Sequence, residues 1–200
     1  MNIWNRIGIV ALLFGLSACG SSPKPVLYSF DEGLQPVAVA PRGVSVAVMP
    51  AVIPELYDRP QMVLRQSGHR MQVLDQKRWS EPLRQQIARV VASELGRRLE
   101  SSSVIALPEN VQALNPDYRL QMNVQRIDAS LENGLGIDVA WQLLARDGAM
   151  NNGRSTLVIP LAQSGNDPYA TLANAHYQAF IRVAQDVAET LAESKLTIIK

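Results

Sequence analysis

Tyr118-Arg119-Leu120-Gln121-Met122-Asn123-Val124-Gln125 alternates apolar and polar side chains without a break. Successive side chains of a strand point to opposite faces, so the stretch predicts a strand with one face buried and one in water. Ile127 arrives one residue out of phase, which predicts a bulge near Gln125-Arg126. Asn133-Gly134 supplies a turn, and Ile137, Val139, Trp141 and Leu143 carry the next strand. Asp147-Gly148 turns again, and Thr156 to Leu161 completes a three-stranded antiparallel meander.

A helix is expected on each side of that meander. Upstream, Leu83, Ile87, Val90, Val91, Leu95 and Leu99 recur at helical spacing, with Arg84, Arg89, Arg97 and Arg98 mostly off the stripe. Ser80 is a good N-cap and Glu81-Pro82 suits a first turn, so the helix is expected over residues 81–100. Downstream, Asp167-Pro168 opens a second helix whose stripe Leu172, His176, Phe180, Val183, Val187 and Leu191 runs to about Glu193. Leu196 to Lys200 reads as a frayed tail or a final edge strand.

Nearer the N-terminus the signals are shorter. Val26 to Phe30 alternates as a first strand, and Glu32 to Arg42 reads as loop. Val44, Val46 and Val48 form a second strand ended by Pro50, and Pro54 to Pro60 is a proline-bracketed loop. Gln61 to Gln66 and Arg70 to Leu74 flank Ser67-Gly68-His69 as a hairpin, and Val104 to Leu107 is a short strand before the Pro108–Pro116 loop. The order β-β-β-β-α-β-β-β-β-α predicts an α+β fold: two long amphipathic helices on one antiparallel or mixed sheet, in a single domain.

The first residues carry a different message. Arg6 precedes the apolar run Ile7 to Phe14, too short to span a bilayer but suited to the core of an export signal. Leu16-Ser17-Ala18-Cys19 then looks like a bacterial lipoprotein box around the only cysteine of the chain. The expectation is a signal peptide over residues 1–18 and a diacylglyceryl and N-acyl lipid on Cys19. Residues 19–25 then form a proline-bearing tether, 26–195 one domain facing the periplasm, and 196–200 a tail. Each buried methylene contributes about 0.8 kcal/mol, so two or more chains anchor stably. Gly20 and Ser21 lack the aspartate that commonly retains such proteins at the inner membrane, which points to the outer membrane.

Composition supports a globular, near-neutral module: 47% hydrophobic, 18% charged, formal net charge +1. No broad field draws it to nucleic acid. The search for catalysis comes back nearly empty. His69 sits in a turn and His176 on an apolar stripe, neither with metal-ligand partners, so no metal or cofactor is expected beyond the lipid on Cys19. Asp128, Glu132 and Asp138 read as turn acids, Trp141 as core and Trp79 as a staple before the first helix. The chain is not expected to be an enzyme.

Pro50-Ala51-Val52-Ile53-Pro54-Glu55-Leu56-Tyr57-Asp58-Arg59-Pro60-Gln61-Met62-Val63 stands out as a stiff apolar loop carrying an arginine able to fork onto a carboxylate or phosphate. Continued through Leu64-Arg65 and taken with Lys77-Arg78-Trp79-Ser80-Glu81-Pro82-Leu83, it resembles the ABC-type transport auxiliary lipoproteins, and among them the PqiC-like, membrane-integrity-associated transport subunits. Asp58, Arg59, Pro60, Gln61, Arg78, Trp79, Glu81 and Pro82 match the family pattern; Leu56-Tyr57 stands where relatives often have Tyr-Leu. The resemblance implies an outer-membrane lipoprotein that works beside an inner-membrane transport subunit and a periplasm-spanning MCE-domain protein, moving lipid or other apolar cargo between the two membranes. It further implies a partner-binding surface at Pro54, Tyr57, Arg59, Pro60, Gln61, Arg78 and Trp79, with a homo-oligomeric ring as one arrangement. A lipid-binding carrier, an ABC-transporter auxiliary and a peptidoglycan-associated lipoprotein are the alternatives.

Overall fold

The computed structural model describes residues 23–30, 43–108, 115–162 and 166–198, with side chains as far as Glu193. Cys19 and the expected Glu32–Arg42 loop lie outside the described residues. Among the described residues, eight strands and two helices appear in the expected order. They are β1 (Val26–Tyr28), β2 (Val46–Val48), β3 (Gln61–Arg65), β4 (Met71–Trp79), α1 (Leu83–Arg98), β5 (Val104–Ala106), β6 (Tyr118–Ser130), β7 (Gly134–Ala145), β8 (Met150–Ile159) and α2 (Pro168–Ile198). A short 3-10 turn spans Glu55–Tyr57.

The single expected sheet is two sheets. One has the order β1-β4-β3, the other β5-β2-β6-β7-β8. The meander β6-β7-β8 is antiparallel throughout, and its register shifts between Val124 and Arg126, where the phase of the sequence breaks. β2 runs parallel to both β5 and β6, so the larger sheet is mixed. The sheets separate because the chain stays against β6 only as far as Val52, which bridges to Asn123. Pro54 and the 3-10 turn then redirect it into the β3–β4 hairpin, and side chains of the turn and of β3 reach across to β6. Tyr57 donates its hydroxyl to the Ile127 carbonyl and Arg65 pairs with Asp128 at 2.5 Å.

β2 is buried on both faces: Val46 and Val48 have no exposure and Ala47 almost none. That is how a strand with parallel neighbours reads, a continuous apolar run rather than an alternation. The helices share one core with the sheets. Ile87, Val91 and Leu95 of α1, Val183, Val187 and Leu191 of α2, and Leu120, Ile137 and Leu143 of the meander are all fully buried. Trp141 is in this core as expected; its indole lies across Gly153 on β8, where any Cβ would overlap the ring, and its Nε1 donates to Ser155 at 3.3 Å.

Element ends correct three expectations. α1 begins at Leu83, not Glu81, because Pro82 is extended (ψ 127°) and Ser80 is held by its own backbone N–H to the Tyr28 carbonyl, so Ser80 caps nothing. β4 runs on to Trp79, which is therefore a strand residue and not a staple. α2 continues to Ile198, past Glu193 and through the residues read as a tail or edge strand.

Candidate functional site

The loop and the helix approach, apart in sequence, are brought together by β3 and β4. Gln61 is in register with Arg78, and the Trp79 N–H donates to the Pro60 carbonyl at 2.7 Å. Proline explains the loop side. Pro54 is extended and starts the 3-10 turn, in which Tyr57 and Asp58 donate back to the carbonyls of Pro54 and Glu55. On the other side Gln86, 1% exposed, clamps the corner: its Nε2 donates to the Glu81 carbonyl and its Oε1 accepts from the Phe30 N–H, both at 2.9 Å.

Between the two lies a cleft of about 240 Å³, walled by Asp58, Arg59 and Pro60 on one side and by Trp79 to Pro82 with Arg84 on the other. Asp58 and Arg84 form a half-exposed ion pair at 2.9 Å across its floor. Glu81 pairs with Arg89 at the rim. The same Asp58–Arg84 pair borders a second hollow of about 330 Å³ lined by Pro50 to Ile53, so one groove continues into the other. Val52, 63% exposed, stands in this second hollow. Arg59 is half-buried, and its Nε, shielded from solvent, has no hydrogen-bond partner among the described residues. Arg59 lines the cleft, and a guanidinium there is a group able to fork onto a carboxylate or phosphate.

The seven expected surface residues divide by role. Arg59, Pro60, Gln61 and Arg78 lie at or beside the cleft with their side chains wholly or partly in solvent. Pro54 shapes the turn. Tyr57 and Trp79 are buried. Burial, with Asp128 nearby, raises the Tyr57 phenol above its ordinary pKa, so it stays a donor to Ile127. Trp79 packs edge-on against Phe30 and His176, with ring centroids 5.3 and 5.1 Å apart. These two hold the surface in place from beneath. Arg84 and Gln86 were not among the expected site residues. Arg84 reads in sequence as an ordinary solvent-face cation, but Gln86 could have been found, as a polar residue three positions after Leu83 on the apolar stripe.

Among the described residues no helix is long and apolar enough to cross a membrane, and no group of histidine, cysteine or acidic side chains could hold a metal ion. The structure is a mixed α+β domain with a preformed surface cleft. The profile of the ABC-type transport auxiliary lipoprotein components matches residues 28–188, and the chain belongs to that family. None of the curated proteins matches it. Solved structures share the fold. A Xanthomonas campestris protein of the DUF330 family superposes with TM-score 0.65 at 18% identity, over 88% of this chain and 99% of its own. Another protein, described only as uncharacterized, gives TM-score 0.64 at 14% identity, over 84% and 99%. The PelC dodecamer of Paraburkholderia phytofirmans aligns at TM-score 0.37 and 19% identity, over 74% and 95%, too slight a likeness to bear on assembly.

Proposed function

We propose that this transport auxiliary lipoprotein is the outer-membrane docking subunit of an MCE-type, Pqi-like intermembrane lipid transport system. Acyl chains on Cys19 anchor it, facing the periplasm, and the Arg59 cleft receives the periplasm-spanning MCE-domain partner, itself joined to an inner-membrane transport subunit. Confinement to a membrane surface raises the local concentration of the cleft near that partner, and a ring of copies would multiply the effect. The subunit contributes position and contact, not catalysis.

The observation that carries this reading is Arg59 on the wall of a cleft held by proline, by the Pro60–Trp79 backbone bond and by Gln86. A surface so constrained loses little entropy when a partner seats on it. Docking is favoured over lipid carriage because Ile87, Leu95, Phe180 and Val187, in the core shared by helices and sheets, have no exposed area.

Recovery of the MCE-domain protein with purified wild type and with an Arg59→Ala variant tests the reading. Removing one side of a desolvated charge pair should weaken association roughly tenfold or more. Equal recovery with an unchanged circular dichroism spectrum would contradict it. Trp79 is no use as a probe, since truncating it would injure the core.

A further inference from the structure

We propose that the β1 edge, with Lys24, Leu27 and Arg78, is the surface this protein lays on an anionic phospholipid bilayer, so that the docking cleft opens on the membrane side of the domain. The inference rests on the lipid anchor at Cys19 proposed above. Six residues lie between Cys19 and Val26, and even a fully extended chain over that span reaches only about 25 Å. Whatever path the tether takes, β1 is held close to the bilayer.

β1 suits that position. It is the outer strand of its sheet, and both of its leading residues are apolar and exposed, Val26 at 45% and Leu27 at 61%. Lys24 is exposed just before it. Leu27 is in register with the partly exposed Arg78, whose Nε donates to the Asp75 carbonyl at 2.9 Å. Apolar side chains flanked by cations are the pattern of an interfacial contact. The neighbouring charges leave that balance positive. Lys77 is engaged within the fold, over the Tyr169 ring and hydrogen-bonded to Tyr28, which in turn donates to Asp167. Asp75 is the one acid beside Arg78 on its strand.

The consequence for docking is geometric. Leu27, Arg78 and Gln61 form one cross-strand row, and neighbouring strands lie about 4.8 Å apart, so the cleft is two strands, roughly 10 Å, from the seat. A partner filling the cleft would end beside the bilayer, where its cargo could pass into lipid.

The test uses full-length, lipidated protein in vesicles of phosphatidylethanolamine and phosphatidylglycerol that carry a chain-brominated quencher. With the native thiol acylated, a cysteine introduced by Leu27→Cys, or by Leu144→Cys at the far end of the β7–β8 ladder, takes a fluorophore alone. Flotation reports the anchor, and quenching reports the seat. Quenching several-fold greater at position 27 than at 144 is expected, diminishing by about fivefold per charge on Lys24→Ala and Arg78→Ala. Protein that floats with equal quenching at both positions overturns the seat and leaves the anchor standing. Protein that fails to float overturns both, while the Arg59 recovery experiment still judges the cleft on its own.

Discussion

His176 shows how a single residue reads differently in sequence and in space. On the apolar stripe of α2 it looks like an ordinary core histidine, and it is one: 3% exposed, with Nδ1 against the Leu172 carbonyl at 2.8 Å and its ring stacked on Phe30 and edge-on to Trp79. Burial lowers its pKa from the usual 6.5 to about 4, because a charged imidazole there would lose its water. The unfolded chain therefore binds a proton at pH values where the folded chain does not. Stability is full above pH 6.5 and falls as the pH drops toward 4, by about 3 kcal/mol over the interval. Denaturant titrations at pH 7 and pH 4.5 should show this slope in wild type and a much flatter one in His176→Phe. The packing partner Trp79 was misread because the aromatic pair Phe30–Trp79 joins two segments nearly fifty residues apart, which no local pattern reports.

At the scale of elements, periodicity was a good guide wherever an element had one wet face. The meander, its bulge and both long helices were legible for that reason, and so were the turns at Gly134 and Gly148, whose φ of +84° and +90° need glycine. At β2 the strand was legible but its burial on both faces was not, and β4 was legible only in part, because its last residues look like the approach to a helix. Legibility failed at helix ends. α1 closes with the Ser101 N–H donating to the Gly96 carbonyl and the Glu100 N–H to Arg97, a Schellman arrangement whose left-handed position is filled by Glu100 at φ +48°. A side chain is strained there by about 1–2 kcal/mol relative to glycine. Glu100→Gly should therefore stabilise the protein by about 1 kcal/mol, read as a higher urea midpoint with unchanged slope. A lower midpoint would mean that Glu100 makes a compensating interaction in the folded state.

For the molecule as a whole, the order of elements was plain in the sequence but the division into two sheets was not. That division depends on where a proline turn takes the chain away from β6, and on side-chain bonds such as Tyr57 to Ile127 that span seventy residues. The cleft was half legible. Its two stretches stood out separately, and only the pairing of Gln61 with Arg78 joins them. The family and fold are those of transport auxiliary lipoproteins, and the proposed role adds a partner seated at the Arg59 cleft. A photo-crosslinking residue placed at Gln61 in intact cells tests that addition most directly, with one at Asn151 on β8 as the reference. Light should convert the protein into a covalent adduct containing the MCE-domain partner from position 61 and not from 151. An adduct from 151 alone, or none from 61 while the protein remains folded and membrane-bound, would contradict the account.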